Sequence, residues 1–143
     1  MSELLAPAAR VVSGVSDSIP VSQAIRAFLQ AGLFHLKLSA AATEVGDTCD
    51  VYIQSSCDGG MTWTDFIHFT QLLGNGGAKS YFAHFTAVGA PTAALHAPED
   101  AALAAGVKQG AIGDLLRVKW VIVDATTTGN VSFNFGVYWT PQY

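Results

Sequence analysis

From residue 33 onward the chain alternates apolar and polar side chains with a period of two, the signature of half-buried β-strands. The alternation is clearest in 115–124 (LLRVKWVIVD), where Leu116, Val118, Trp120 and Ile122 share one face and Arg117 and Lys119 the other. In 131–140 (VSFNFGVYWT), Val131, Phe133, Phe135, Val137 and Trp139 repeat it against Ser132, Asn134, Gly136 and Tyr138. Further strands are predicted at 33–40 (LFHLKLSA), 48–56 (TCDVYIQSS), 62–70 (TWTDFIHFT) and 79–87 (KSYFAHFTA), separated by clusters of Gly, Asn, Asp and Ser. One-sided apolar strands of this kind close over a common core. The expected fold is therefore all-β, an antiparallel β-sandwich of jelly-roll-like form.

Two segments depart from the pattern. Residues 20–32 (PVSQAIRAFLQAG) set Val21, Ala24, Ile25, Phe28 and Leu29 at helical spacing between Pro and Gly. They also read as an entry strand, and extended or mixed structure is preferred because the sandwich would otherwise be short of strands. Residues 88–114 have few β-branched residues and contain PEDAALAAG, where Pro98, Glu99 and Asp100 suit a helix first turn and Gly106 a stop. A long connection carrying one short helix is expected there. Residues 1–20 read as an N-terminal arm, and 21–143 as a single sandwich domain.

A chain of 143 residues is long enough for one core. Only 13% of its residues are charged, against about a quarter in a typical soluble domain, which points to surface covered by a partner. The net charge is −4 and the basic residues (Arg10, Arg26, Lys37, Lys79, Lys108, Arg117, Lys119) are scattered, so nucleic acid is not an expected partner. No apolar run approaches the about 20 residues that span a bilayer, and MSELLAPAARVV has neither a basic start nor an apolar signal core. Synthesis in a cytoplasm, with no membrane partner, is the expectation. Cys49 and Cys57 lie about eight extended residues of ~3.3 Å apart, beyond disulfide reach, and read as free thiols.

The stretch SCDGGMTW at 56–63 falls across a hairpin between two predicted strands. Asp58 can accept from the N–H groups of its own turn, Gly59 and Gly60 can supply positive φ, and the hydroxyls of Ser56 and Thr62 can bond back to it. Trp63 can pack an indole beneath. These six residues are assigned a structural turn. A calcium loop fits poorly, because after Asp58 the next acid is Asp65. GNGGAKS at 74–80 is not a phosphate loop, since Ala78 stands directly before the lysine. His68 and His84, in the echoing segments FIHFT and YFAHFT, are placed near each other but with no assured third metal ligand. No serine sits in a nucleophile elbow and Cys57 has no basic neighbour in sequence, so no catalytic residue, metal or cofactor is expected.

The pattern S-x-D-x-G-x-T-W resembles the Asp-box of sialidase β-propellers, where it is a peripheral structural turn. A single copy in 143 residues cannot build a propeller at about 40–50 residues per blade. A wider resemblance covers 33–140: the hairpin DVYIQSSCDGGMTWTDFIHFTQ, a small-residue connection, the strand entry GAIGDLLRVKWVI and a terminal aromatic strand. Their order resembles small β-sandwich proteins of tailed-bacteriophage virions, a group that includes head-decoration or cement proteins. The resemblance implies a non-enzymatic subunit, often trimeric, made in the host cytoplasm, residing in the virion and bound to the major capsid protein. It also admits a carbohydrate- or receptor-binding module of a tail or fibre, with Tyr138, Trp139 and Tyr143 as stacking aromatics, although Trp139 is in phase with the buried face of its strand.

Overall fold

A computed structural model of the chain describes residues 2–21, 30–87, 91–93, 95–110, 112–126 and 129–142. Among these, eleven strands occur: β1 (Ser2–Arg10), β2 (Gly14–Val15), β3 (Ile19–Pro20), β4 (Ala31–Ala40), β5 (Thr48–Ser56), β6 (Thr64–His68), β7 (Leu72–Leu73), β8 (Lys79–Thr86), β9 (Gly106–Val107), β10 (Leu115–Val123) and β11 (Phe133–Gln142). One sheet has the order β1-β11-β4-β8 and the other β2-β10-β5-β6-β9, with β3 also on β10 and β7 on β5. Every pairing is antiparallel. The pairs are nested: β1 with β11, β2 and β3 with β10, β4 with β8, and β5 with β6. A long hairpin rolled up in this way is a jelly roll, and its tip is the turn at 57–63. The antiparallel sandwich expected from the alternation is the fold observed.

The predicted strand faces pack as the period demands. Leu116 and Val118 of β10, and Phe133, Phe135, Val137 and Trp139 of β11, are all in the core. Trp120 and Ile122 lie at its margin, partly buried. The two sheets interlock through aromatic rings: Phe34 of β4, stacked at 5.7 Å on Trp139 of its own sheet, meets Phe66 of β6 edge-on at 5.5 Å, and Phe66 meets Phe85 of β8 at 5.4 Å. Phe66 reaches this position because β6 is irregular. The register jumps from Ile53↔Ile67 to Gln54↔Asp65, so Phe66 is an extra residue opposite β5. The bulge lets the consecutive Phe66 and Ile67 both enter the core and puts Asp65 and His68 together on the outer face.

Two departures from expectation follow from specific contacts. PEDAALAAG is not helical, and no helix occurs among the described residues. The N–H groups of Ala101, Ala102 and Leu103 donate to the Asp65 carboxylate instead of to carbonyls one turn back, and Ala101 takes φ 54°. Residues 1–20, expected as an arm, supply strands to both sheets. Leu4 and Leu5 are both buried because the register of β1 shifts between Glu3 and Leu5. Arg10 closes that strand by donating to the carbonyls of Ala6, Ala8 and Phe135 with its guanidinium over the Trp120 and Phe135 rings. Of the ambiguous segment 20–32, residues 22–29 lie outside the described residues; Val21 is buried and β4 has begun by Ala31.

Both cysteines are free, Cys49 buried and Cys57 exposed. Burial, with Asp50 adding to it, pushes the Cys49 thiol up to about 12. At pH 8 about one Cys49 in ten thousand is then thiolate, so native protein should show one fast-reacting thiol in a colorimetric disulfide-exchange assay and two in denaturant. Two fast thiols in the native state would contradict the packing of β5. Phe34→Ala, which removes one of the rings linking the two sheets, should lower unfolding free energy by about 3–5 kcal/mol in denaturant titration.

Candidate functional site

The turn at the tip of the roll is satisfied from within. Ser56 Oγ donates to Asp58 Oδ1 at 2.8 Å and accepts from Gly60 N–H at 2.9 Å, and Thr62 N–H donates to the same Asp58 oxygen at 2.8 Å. The Thr62 N–H first, and then the Ser56 hydroxyl, hold the Asp58 carboxyl below its usual value. Gly59 and Gly60 take φ 73° and 93°, where a side chain is strained. Trp63 Nε1–H donates to the Gly60 carbonyl at 3.0 Å and Arg117 lies 4.3 Å over the indole. All six residues assigned to the turn are thus engaged in shaping or supporting it.

The chemistry that sequence reading missed lies beside the turn, on the outer face of β6, β5 and β10. Cross-strand register puts Asp65, Gln54 and Arg117 in one row. Asp65 is fully buried and accepts from Gln54 Nε2 at 2.7 Å and from the N–H groups of Ala101, Ala102 and Leu103 at 2.9–3.1 Å. Gln54 Nε2 also donates to Asp100, and its Oε1 accepts from Arg117 Nε, both at 2.8 Å. Lys119 Nζ donates to Asp100 at 2.7 Å. The Lys119 bond first, then that from Gln54, lowers the Asp100 carboxyl. In the next row His68 stacks on Tyr52 at 4.2 Å, its Nε2 against Asp50 and its Nδ1 against the Leu103 carbonyl. The connection from Glu99 to Leu103 is therefore pinned across the outer face of the sheet. The only sequence sign was an acid and an amide facing each other in adjoining strands.

Between this connection and the hairpin tip lies a cleft of about 670 Å³, lined among others by Cys57, Thr64, Phe66, Ala87, His96, Lys108 and Ile112. Lys108 is paired with Glu99. His68 and His84 line a smaller hollow of about 290 Å³, but from different sheets, and both His68 nitrogens are already engaged. The first five residues of GNGGAKS form the connection from β7 to β8, with Asn75 and Gly77 in left-handed conformations, and Lys79 and Ser80 open β8. Trp139 is core, and Tyr143 lies outside the described residues. On the outer face of the four-stranded sheet, Phe82, His35 and Tyr138 stand in register. Phe82, 59% exposed, stacks on His35 at 4.3 Å. Burial, then Lys37, holds the His35 imidazole below its usual value.

At the opposite end from the hairpin tip, Leu73 and Val123 flank Thr48 of β5 on its two sides and are 56% and 52% exposed. Val45 and Val12, on the loops nearby, are 75% and 69% exposed. This end carries a concentration of bare aliphatic side chains.

Asp65→Ala would orphan buried N–H groups and release the connection, so unfolding free energy should fall by roughly 2–4 kcal/mol and proteolytic cleavage should appear within 98–105. Wild-type stability without that cleavage site opening would show that Asp65 does not pin the connection. The depressed Asp100 carboxyl stabilises the fold at pH above its ordinary value of 3.8, and that contribution is lost as pH falls through the lower folded value. The stability difference between wild type and Asp100→Asn should accordingly be constant above about pH 5 and shrink towards pH 2 in parallel denaturant titrations.

No family model, curated protein or solved structure matches this chain.

Proposed function

We propose that the chain is a non-enzymatic structural subunit of a phage virion, a decoration or cement protein that self-associates and binds the major capsid protein on the assembled head. The observation that carries this reading is the exposed aliphatic end formed by Leu73, Val123, Val45 and Val12. Four such side chains at one end of a 13%-charged chain favour a covered surface. The rolled-up sandwich supports it in a second way, since its rigid sheets hold the loops at that end in fixed relation. The resemblance of the 50–71 hairpin and the 110–122 strand entry to virion β-sandwich proteins supplies the partner.

The mechanism is multiplicity. A trimer touching several capsid subunits turns second and third contacts into intramolecular events at high effective concentration, so each contact can be well below the roughly 1,600 Å² of a standard interface. Bound copies would then oppose separation of neighbouring capsid subunits.

A second reading rests on the Phe82, His35 and Tyr138 row. An aromatic row on a sheet face, with Phe82 stacked on His35 and Tyr138 tilted at 43° beside it, suits stacking on sugar rings, as in a receptor-binding module of a tail or fibre.

Co-sedimentation with undecorated heads, together with light scattering, tests the first reading. Wild type should pellet with heads and scatter as an oligomer, and Leu73→Asp with Val123→Asp should weaken head binding at least about tenfold while keeping the wild-type melting temperature within a few degrees. A monomer that stays in the supernatant refutes decoration. Binding on a glycan array that is lost in Phe82→Ala would replace it with the second reading.

A further inference from the structure

Two loops distant in sequence meet at the end of the sandwich away from the hairpin tip: 41–47, joining β4 to β5, and 124–132, joining β10 to β11. Glu44 and Asp47 on the first and Asp124 on the second each offer a carboxylate oxygen, and these atoms all lie within 4.8 Å of one another. Asp47 has no solvent exposure. Its Oδ1 accepts from Ala125 N–H at 2.9 Å, whereas its Oδ2 is buried with no hydrogen-bond partner among the described residues. A buried carboxylate oxygen without a donor, set in a cluster of like charges, calls for a cation.

We propose that Glu44, Asp47 and Asp124 form a calcium-binding site. An all-oxygen, carboxylate-rich set suits a hard dication. Coordination habit separates the two common ones: calcium takes about six to eight oxygens at about 2.3–2.6 Å in flexible arrangements, while magnesium at about 2.1 Å demands a near-ideal octahedron. Three carboxylates from two separate loops, their oxygens all within 4.8 Å of one another, suit the more tolerant ion, with water completing a shell of about six to eight.

The carboxylates are held in place before any ion arrives. Thr126 Oγ donates to Glu44 Oε1 at 2.7 Å, and Gly129 N–H donates to Asp124 Oδ2 at 2.9 Å. Gly74 N–H donates to the Asp47 carbonyl at 2.7 Å. A Cβ on Gly74 would come within 1.9 Å of the Glu44 carbonyl oxygen, so glycine is what lets the turn after β7 close against this loop. Calcium would lock together loops that carry Val45 and follow Val123, yet the site stands whatever those side chains touch.

The full chain, stripped with chelator, is titrated with calcium chloride by calorimetry and by thermal melting, with magnesium chloride as the size control. Wild type should give saturable heat and a melting temperature that climbs with the logarithm of calcium concentration, magnesium giving less. Asp47→Asn and Asp124→Asn should each weaken calcium binding at least about tenfold. Asp124 is only partly buried, so its variant carries the test if Asp47→Asn does not fold. No thermal response of wild type at about 10 mM calcium overturns the site, since that exceeds even the weak extracellular range. An unchanged response in folded Asp124→Asn overturns it too, and magnesium acting as strongly as calcium overturns the choice of ion.

Discussion

A carboxylate with no access to water has to be met by donors, and in this fold Asp65 is met from two directions. Gln54 approaches along the sheet and the N–H groups of 101–103 approach from above. The bulge at Phe66 makes this possible by turning Asp65 and His68 to the same outer face while sending Phe66 and Ile67 inward. Both outward residues then hold the same strip of chain, Asp65 through its N–H groups and His68 through the Leu103 carbonyl. β5 is consequently buried on both faces, with Val51 and Ile53 against the other sheet and Tyr52 and Gln54 beneath the connection. A six-stranded pattern in the sequence thus becomes a central strand covered on either side.

The parts of this arrangement set by periodicity were legible in the sequence, and the parts set by a single distant partner were not. Leu116 and Val118 declare their face because their neighbours Arg117 and Lys119 declare the other, and the same holds along β11. SCDGGMTW was readable for a related reason: Ser56, Asp58 and Thr62 bond to one another within a few residues, so local sequence contains the whole interaction. PEDAALAAG shows the limit. Its small residues and acidic start favour a helix intrinsically, but a buried carboxylate 36 to 38 positions away claims its N–H groups. Residues 1–20 misled in the opposite sense. Their strands are short or bulged, and only the edge of β11 and the flank of β10 give them a place to pair. The Glu44, Asp47 and Asp124 cluster was invisible for the same cause, since nothing in the sequence brings 41–47 to 124.

The ionic groups of the outer face also bear on how the surface meets its surroundings. Composition alone understates the shortage of charge outside. Arg117 lies on Trp63 and bonds Gln54, Lys119 and Lys108 are spent on Asp100 and Glu99, and Asp50 faces His68. Arg10 is folded onto Trp120 and Phe135. Among the described basic residues, Arg10, Lys108, Arg117 and Lys119 therefore work within the fold, holding a connection or closing a strand. Leu73, Val123, Val45 and Val12 are then left exposed at one end, beside the Glu44, Asp47 and Asp124 carboxylates. Charged groups committed inward and aliphatic groups left outward are two sides of one allocation.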